Sequence, residues 1–169
     1  MGANMGATIT NETGGVIVHN ANSATQNLTL QCNANLNCIS AIGGGMVIKS
    51  GTATNNGAIT VNDSGVGMYA NGGTIINKGT INLENTTETT PAANTQLIGM
   101  AVFNGGVAYN DGTININADN GQAFYNDGAA GSTIHNSGTI NLNGGAMSSD
   151  DTQMGSCLLY TSPSPRDCS

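Results

Sequence analysis

The 169-residue chain has only 8% charged and 4% aromatic residues, no Trp, 25 Gly and a formal net charge of −7. Soluble domains typically carry roughly 25% charged residues. So few large and charged side chains exclude a compact aromatic core, and three basic residues exclude phosphate neutralisation as a mode of nucleic-acid binding.

The chain is long enough for one domain, and it opens without a basic end or an apolar stretch of signal-peptide type. No apolar run approaches the length of a membrane span, so direct membrane insertion by this segment is not expected. Ala7–Thr10, Val16–Val18 and Leu28–Leu30 are short β-type runs separated by Asn, Gly and Ser, the residues of turns. Cys32 and Cys38 then bracket a polar loop. In an exported protein they could form a small disulfide hairpin; two unpaired thiols are the other reading, and both stay open. Their spacing from His19 and His135 fits no zinc pattern.

From Gly45 a two-part unit recurs. Its first part is Gly45-Met46, Gly67-Met68, Gly99-Met100 and, with Gln for Met, Gly121-Gln122. Its second part is Asn-x-Gly-Thr/Ala-Ile-x-aliphatic, at Asn55–Val61, Asn77–Leu83, Asn110–Ile116 and Asn136–Leu142. Met46 to Met68 is 22 residues, and so is Met100 to Gln122. The middle interval is 32, with the excess in the polar stretch Asn85–Thr95, read as an excursion loop. Ala129–Ser132 is read as a shorter insertion.

Short strands at a period near 22 predict an all-β, parallel β-helix. It would be right-handed by the crossover rule for parallel strands. Side-chain alternation predicts inward columns Ile59/Ile81/Ile114/Ile140, Val61/Leu83/Ile116/Leu142 and Ala53/Ile75/Ala108/Ile134. Thr60, Asn82, Asn115 and Asn141 face solvent. Asn55, Asn77, Asn110 and Asn136 are expected to stack as an amide ladder at one corner. Gly57, Gly79, Gly112 and Gly138 are expected there for positive φ. A meander of antiparallel strands is the competing fold, but it needs no such column identity.

Residues 1–156 are expected to be one β-helix fragment, clear over 45–147 and weaker over 6–44. Residues 157–169 break every trend: they hold two of the three prolines, the single Arg and two of the four cysteines. The segment resembles a translated transposon-end sequencing adapter and is expected to be a non-native, disordered tail. The repeats start almost at once, so the true beginning of the protein is expected upstream.

No catalytic constellation assembles from the sequence. His135 falls at an outward strand position and His19 is assigned the same surface role. No Ser sits in a Gly-x-Ser-x-Gly elbow, and no pair of carboxylates converges at a glycosidase spacing. No catalytic residue, metal ligand or cofactor is expected, and the Met column reads as core packing.

Units such as Gly67–Gly73 followed by Asn77–Ile81 resemble the passenger regions of bacterial autotransporters, the type V secretion adhesins. The resemblance spans residues 45–147, with weaker support from 7 to 44. It implies export, display at the cell surface through a C-terminal outer-membrane β-barrel, and an adhesive or biofilm role. The partners it implies are a host-cell surface, extracellular matrix or neighbouring bacteria, met through the parent protein. A β-helical polysaccharide lyase or hydrolase is the alternative function. Such a site needs clustered acids or basic residues to stabilise developing charge, and the chain before the tail contains only Lys49 and Lys78.

Overall fold

The structure is a computed structural model that describes residues 1–3, 6–20, 44–86, 97–118 and 121–143. Cys32, Cys38, Leu28–Leu30, most of the Asn85–Thr95 excursion and the 157–169 tail lie outside the described residues. Among the described residues, fifteen strands make five rungs of three. The first rung is β1 (Gly2–Ala3), β2 (Ala7–Asn11) and β3 (Val16–Asn20). The second is β4 (Gly44–Ile48), β5 (Gly51–Asn55) and β6 (Ala58–Asn62). The third is β7 (Gly65–Asn71), β8 (Thr74–Asn77) and β9 (Thr80–Glu84). The fourth is β10 (Leu97–Phe103), β11 (Val107–Asn110) and β12 (Thr113–Asn117). The fifth is β13 (Gly121–Asn126), β14 (Thr133–Asn136) and β15 (Thr139–Leu142).

Equivalent strands of successive rungs pair in parallel to give three five-stranded sheets. Sheet A runs β1-β4-β7-β10-β13, sheet B runs β2-β5-β8-β11-β14, and sheet C runs β3-β6-β9-β12-β15. This is a parallel β-helix. Each strand is only two to seven residues long and would be marginal alone. Stacking gives its backbone partners above and below.

Small aliphatic side chains fill the interior in columns. Ile17, Ile59, Ile81, Ile114 and Ile140 lie in register through sheet C. Ile9, Ala53, Ile75, Ala108 and Ile134 do so through sheet B. Met46, Met68 and Met100 pair in sheet A. These columns merge into one core cluster.

In the last rung the register differs from the sequence expectation. Met100 pairs with Phe124, and Gln122 pairs with Ile98. The interval is therefore 24 residues, not 22. Regular alternation would leave a slip of two undetected, because it would keep Gln122 and Phe124 on one face. The preferred pairing puts Phe124, rather than the amide of Gln122, against the core.

Sheet A breaks simple alternation. Leu97, Met100 and Val102 belong to the main core, whereas Ile98, Ala101 and Phe103 belong to a second cluster with Val66 and Tyr69. Gly99 lies between Ile98 and Met100, and a Cβ there would press on Ile114 at 3.1 Å and on the Ala123 carbonyl at 2.7 Å. Gly67 and Gly45 meet Ile81 and Ile59 in the same way. The strand bends inward at this Gly column, so two consecutive residues face the core. Apolar side chains thus occupy both faces of sheet A: Tyr69 and Phe103, on the outward face, are each 1% exposed. Their rings, with Tyr125, form a run at centroid spacings of 5.1 and 5.2 Å.

Candidate functional site: the amide corner and the outward face of sheet C

The repeated Asn-x-Gly stretch forms the turn from sheet B to sheet C. Asn55, Asn77 and Asn110 are fully buried. Asn55 Nδ2 donates to Asn77 Oδ1 at 2.8 Å, Asn77 to Asn110 at 2.7 Å, and Asn110 to Asn136 at 2.7 Å. Asn11 extends the ladder by donating to Asn55 at 2.8 Å. Asn11 does not match the repeat motif, because Glu12-Thr13-Gly14-Gly15 follows it instead of the two-residue turn.

The second amide hydrogen of the ladder is also used. Asn55 reaches the Thr80 carbonyl at 3.3 Å and Asn77 reaches the Thr113 carbonyl at 3.4 Å. This fixes which end of each amide is the nitrogen. Burying an amide without partners costs about 1–3 kcal/mol; here the neighbouring rung supplies both an acceptor and a donor. The backbone is satisfied round the turn as well. Lys78 and Gly79 N–H both donate to the Asn55 carbonyl, and Asp111 and Gly112 repeat this on Asn77.

The glycines of this corner have a different cause from the one expected. Gly57, Gly79, Gly112 and Gly138 are absent from the positive-φ residues of the chain. A Cβ at Gly79 would overlap the Gly57 carbonyl oxygen, one at Gly112 the Gly79 oxygen, and one at Gly138 the Gly112 oxygen. Glycine is needed because rungs approach too closely for a side chain. Positive φ occurs at the turn from sheet A to sheet B, at Gly72 (φ 83°), Asn104 (φ 50°) and Gly105 (φ 79°), at Asp63 and Gly65 between sheets C and A, and at Gly14 in the longer first-rung turn.

Sheet C carries further ladders on its outward face. Asn115 Nδ2 donates to Asn82 Oδ1 and Asn141 Nδ2 to Asn115 Oδ1, both at 2.8 Å. Beside them Asn117 donates to Glu84 at 2.6 Å and Asn143 to Asn117 at 2.9 Å. Thr80, Thr113 and Thr139 form a third row, in register.

The ionisable residues are dispersed. Asp63 accepts from the Thr86 N–H and hydroxyl at 2.8 and 2.6 Å. Asp127 accepts from the Asn104 and Ala129 N–H groups, both at 2.9 Å. Asp111 accepts from the Ser137 hydroxyl at 2.6 Å. Each holds a turn. Burial, with Asp127 nearby, raises the phenols of Tyr69 and Tyr125 above their ordinary range.

His135 lies outward and stacks on Tyr109, with centroids 4.9 Å apart and planes 11° from parallel. His19 does not share that position. It pairs with Val61, which puts it in the inward column of Val61, Leu83, Ile116 and Leu142. Its Nε2 is buried without a hydrogen-bond partner, and burial lowers its pKa from 6.5. The surface assignment fails because Val16-Ile17-Val18 fills both faces, so local alternation gives no phase; only pairing with β6 does. Among the described residues, no three His, Cys, Asp or Glu side chains group as metal ligands would.

Comparison with known proteins adds an independent view. A protein from Salmonella typhimurium strain LT2, described as "Putative surface-exposed virulence protein BigA", is 53% identical over 106 residues. That match covers 62% of this chain and 5% of the relative, so the chain corresponds to about a twentieth of that protein's length. No solved structure matches the chain. The family model for the BigA third pectate lyase-like domain matches residues 1–112, which takes in the first three rungs and β10 and β11 of the fourth. The chain belongs to the family of the BigA third pectate lyase-like domain.

Proposed function

We propose that this chain is a structural and adhesive segment of a bacterial autotransporter passenger, displayed at the cell surface and acting without catalysis. The observation that carries the reading is the outward face of sheet C. There, amides are held in rows by hydrogen bonds from rung to rung, beside a row of Thr in register. A face fixed in this way loses little side-chain entropy when it meets a partner. The description of the Salmonella relative as surface-exposed agrees with display. Export and anchoring through an outer-membrane barrel belong to the parent protein in this reading. Partners on a host-cell surface, in extracellular matrix or on a neighbouring bacterium would be met from that position.

The carboxylates named above are engaged in turns and ladders, which supports a scaffold over a lyase or hydrolase centre. The test is an in-frame deletion of residues 44–143 from the parent gene, followed by adhesion assays on displaying cells. Adhesion should fall while display is retained. Unchanged adhesion would remove the adhesive role and leave a stalk. Incubation with neutral and acidic glycans should release no reducing ends above a blank.

A further inference from the structure

We propose that Asn56-Gly57 is a site of spontaneous covalent modification: the asparagine deamidates through a cyclic imide and leaves an isoaspartyl linkage in the corner between sheets B and C. Three Asn-Gly pairs lie wholly within the described residues, at Asn56-Gly57, Asn71-Gly72 and Asn104-Gly105. The reaction needs two groups that are free. The side-chain amide carbon must swing toward the backbone nitrogen of the following glycine, and that nitrogen must give up its proton.

At two of the pairs both groups are tied. Asn104 Nδ2 donates to Asn71 Oδ1 at 2.6 Å, which holds the two side chains to each other. The Gly72 N–H donates to the Phe103 carbonyl at 2.9 Å, and the Gly105 N–H donates to the Ser132 hydroxyl at 3.0 Å. At Asn56-Gly57 neither group is tied. Among the described residues, the partly exposed Asn56 side chain makes no hydrogen bond and the Gly57 N–H has no acceptor.

The cause lies one rung earlier. In the third, fourth and fifth rungs both N–H groups of the two-residue corner donate to the Asn carbonyl of the rung before. Lys78 and Gly79 donate to Asn55, Asp111 and Gly112 to Asn77, and Ser137 and Gly138 to Asn110. In the first rung Glu12–Gly15 lengthens the turn after Asn11. The Asn11 carbonyl then receives only the Asn56 N–H, at 2.8 Å. Backbone N–H groups are ordinarily paired; the one on Gly57 is left over. Of the four two-residue corners, this is also the one with an amide at its first position, where the others have Lys78, Asp111 and Ser137.

The step needs no reagent but water. The Gly57 nitrogen attacks Cγ of Asn56 and a C–N bond forms. The bond from Cγ to Nδ2 breaks, and ammonia leaves with the proton from the Gly57 N–H. Water then opens the five-membered imide at either of its carbonyls. One opening gives an aspartyl side chain. The other routes the main chain through Cβ and Cγ, which makes it one atom longer. The lengthened corner is the one that anchors the first rung. Asn56 holds the Asn11 carbonyl, Ala58 N–H donates to the Gly15 carbonyl at 2.9 Å, and the Asn11 amide donates to Asn55 at 2.8 Å. The isoaspartyl chain therefore grips its first rung less firmly.

The test is to age the whole chain in mildly alkaline buffer and map its peptides by mass spectrometry. In the folded chain Asn56 should convert about fivefold faster than Asn71 or Asn104, the worth of one backbone hydrogen bond that need not break. In urea the three pairs should react alike. An isoaspartyl-specific methyltransferase should label the Asn56 peptide of the aged chain. Asn56→Lys, which copies the corner of the third rung, should abolish that label and leave Tm near that of the parent chain. Amides of β2 and β3 should exchange hydrogen faster after ageing, while those of β8 and β9 should not. Equal rates at the three pairs in the folded chain would overturn the proposal. So would a label that persists undiminished in the Lys variant, or exchange in β2 and β3 that stays unchanged once Asn56 has converted.

Discussion

Two corners of the same solenoid use the same two residue types for different reasons. At the turn from sheet B to sheet C, Asn is buried and Gly is required by the rung below. At the turn from sheet A to sheet B, Asn71 bonds Asn104 at the surface and Gly72 and Gly105 take positive φ. The first corner keeps two residues in four of its five rungs. The second has two, two, three and six residues between its strands from the second rung to the fifth. A turn fixed by its neighbours cannot vary in length without disturbing them. One fixed by its own dihedrals can, because its constraint is local.

The sharpest way to break this contrast is a pair of alanines. Gly112→Ala puts a Cβ on the Gly79 carbonyl and should cost at least about 3 kcal/mol, at the upper end of overpacking effects. Gly105→Ala meets only the Ala130 carbonyl at 3.6 Å and should cost about 1–2 kcal/mol, the left-handed penalty alone. Equal losses of Tm would dissolve the distinction. Asn77→Ala comes next, at about 1–3 kcal/mol, because Asn55 loses an acceptor and Asn110 a donor inside the core. Asn82→Ala, on the outward ladder, should stay within about 0.5 kcal/mol as ordinary surface changes do. Chemical denaturation of both variants separates buried from exposed ladders.

Two smaller effects sharpen the picture. Inserting one Gly-Ser pair between Gly105 and Gly106 lengthens a three-residue turn and should cost about 0.5 kcal/mol in loop entropy; the same insertion after Lys78 should abolish cooperative unfolding. Last, the fold lowers the pKa of His19, so below 6.5 the unfolded chain binds a proton that the folded chain does not. Stability should be complete above pH 6.5 and fall as pH drops below it. His19→Leu should flatten that slope, read as Tm against pH beside the parent chain.

Columns were legible wherever the same residue recurred at a matched offset, as with Ile59, Ile81, Ile114 and Ile140. Pairing decided what alternation could not. Regular alternation would put Phe124 and Gln122 on one face; the break at the Gly99 column instead sets Gln122 beside outward Ile98 and Phe124 beside Met100 of the core. The apolar outward face of sheet A had a signal in Leu97–Phe103, an unbroken apolar run of the kind found in strands buried on both faces. The purpose of the corner glycines was invisible, since a clash with a carbonyl one rung away belongs to no local pattern.

Because the backbone hydrogen bonds between rungs run along the long axis, a pull on the two ends loads them one rung at a time. The stack then peels instead of shearing. A 22-residue rung such as that between Asn55 and Asn77 contributes about 4.8 Å to the stack but about 75 Å when drawn out as extended chain. Each rung that yields would therefore release roughly fifteen times its own height as extended chain.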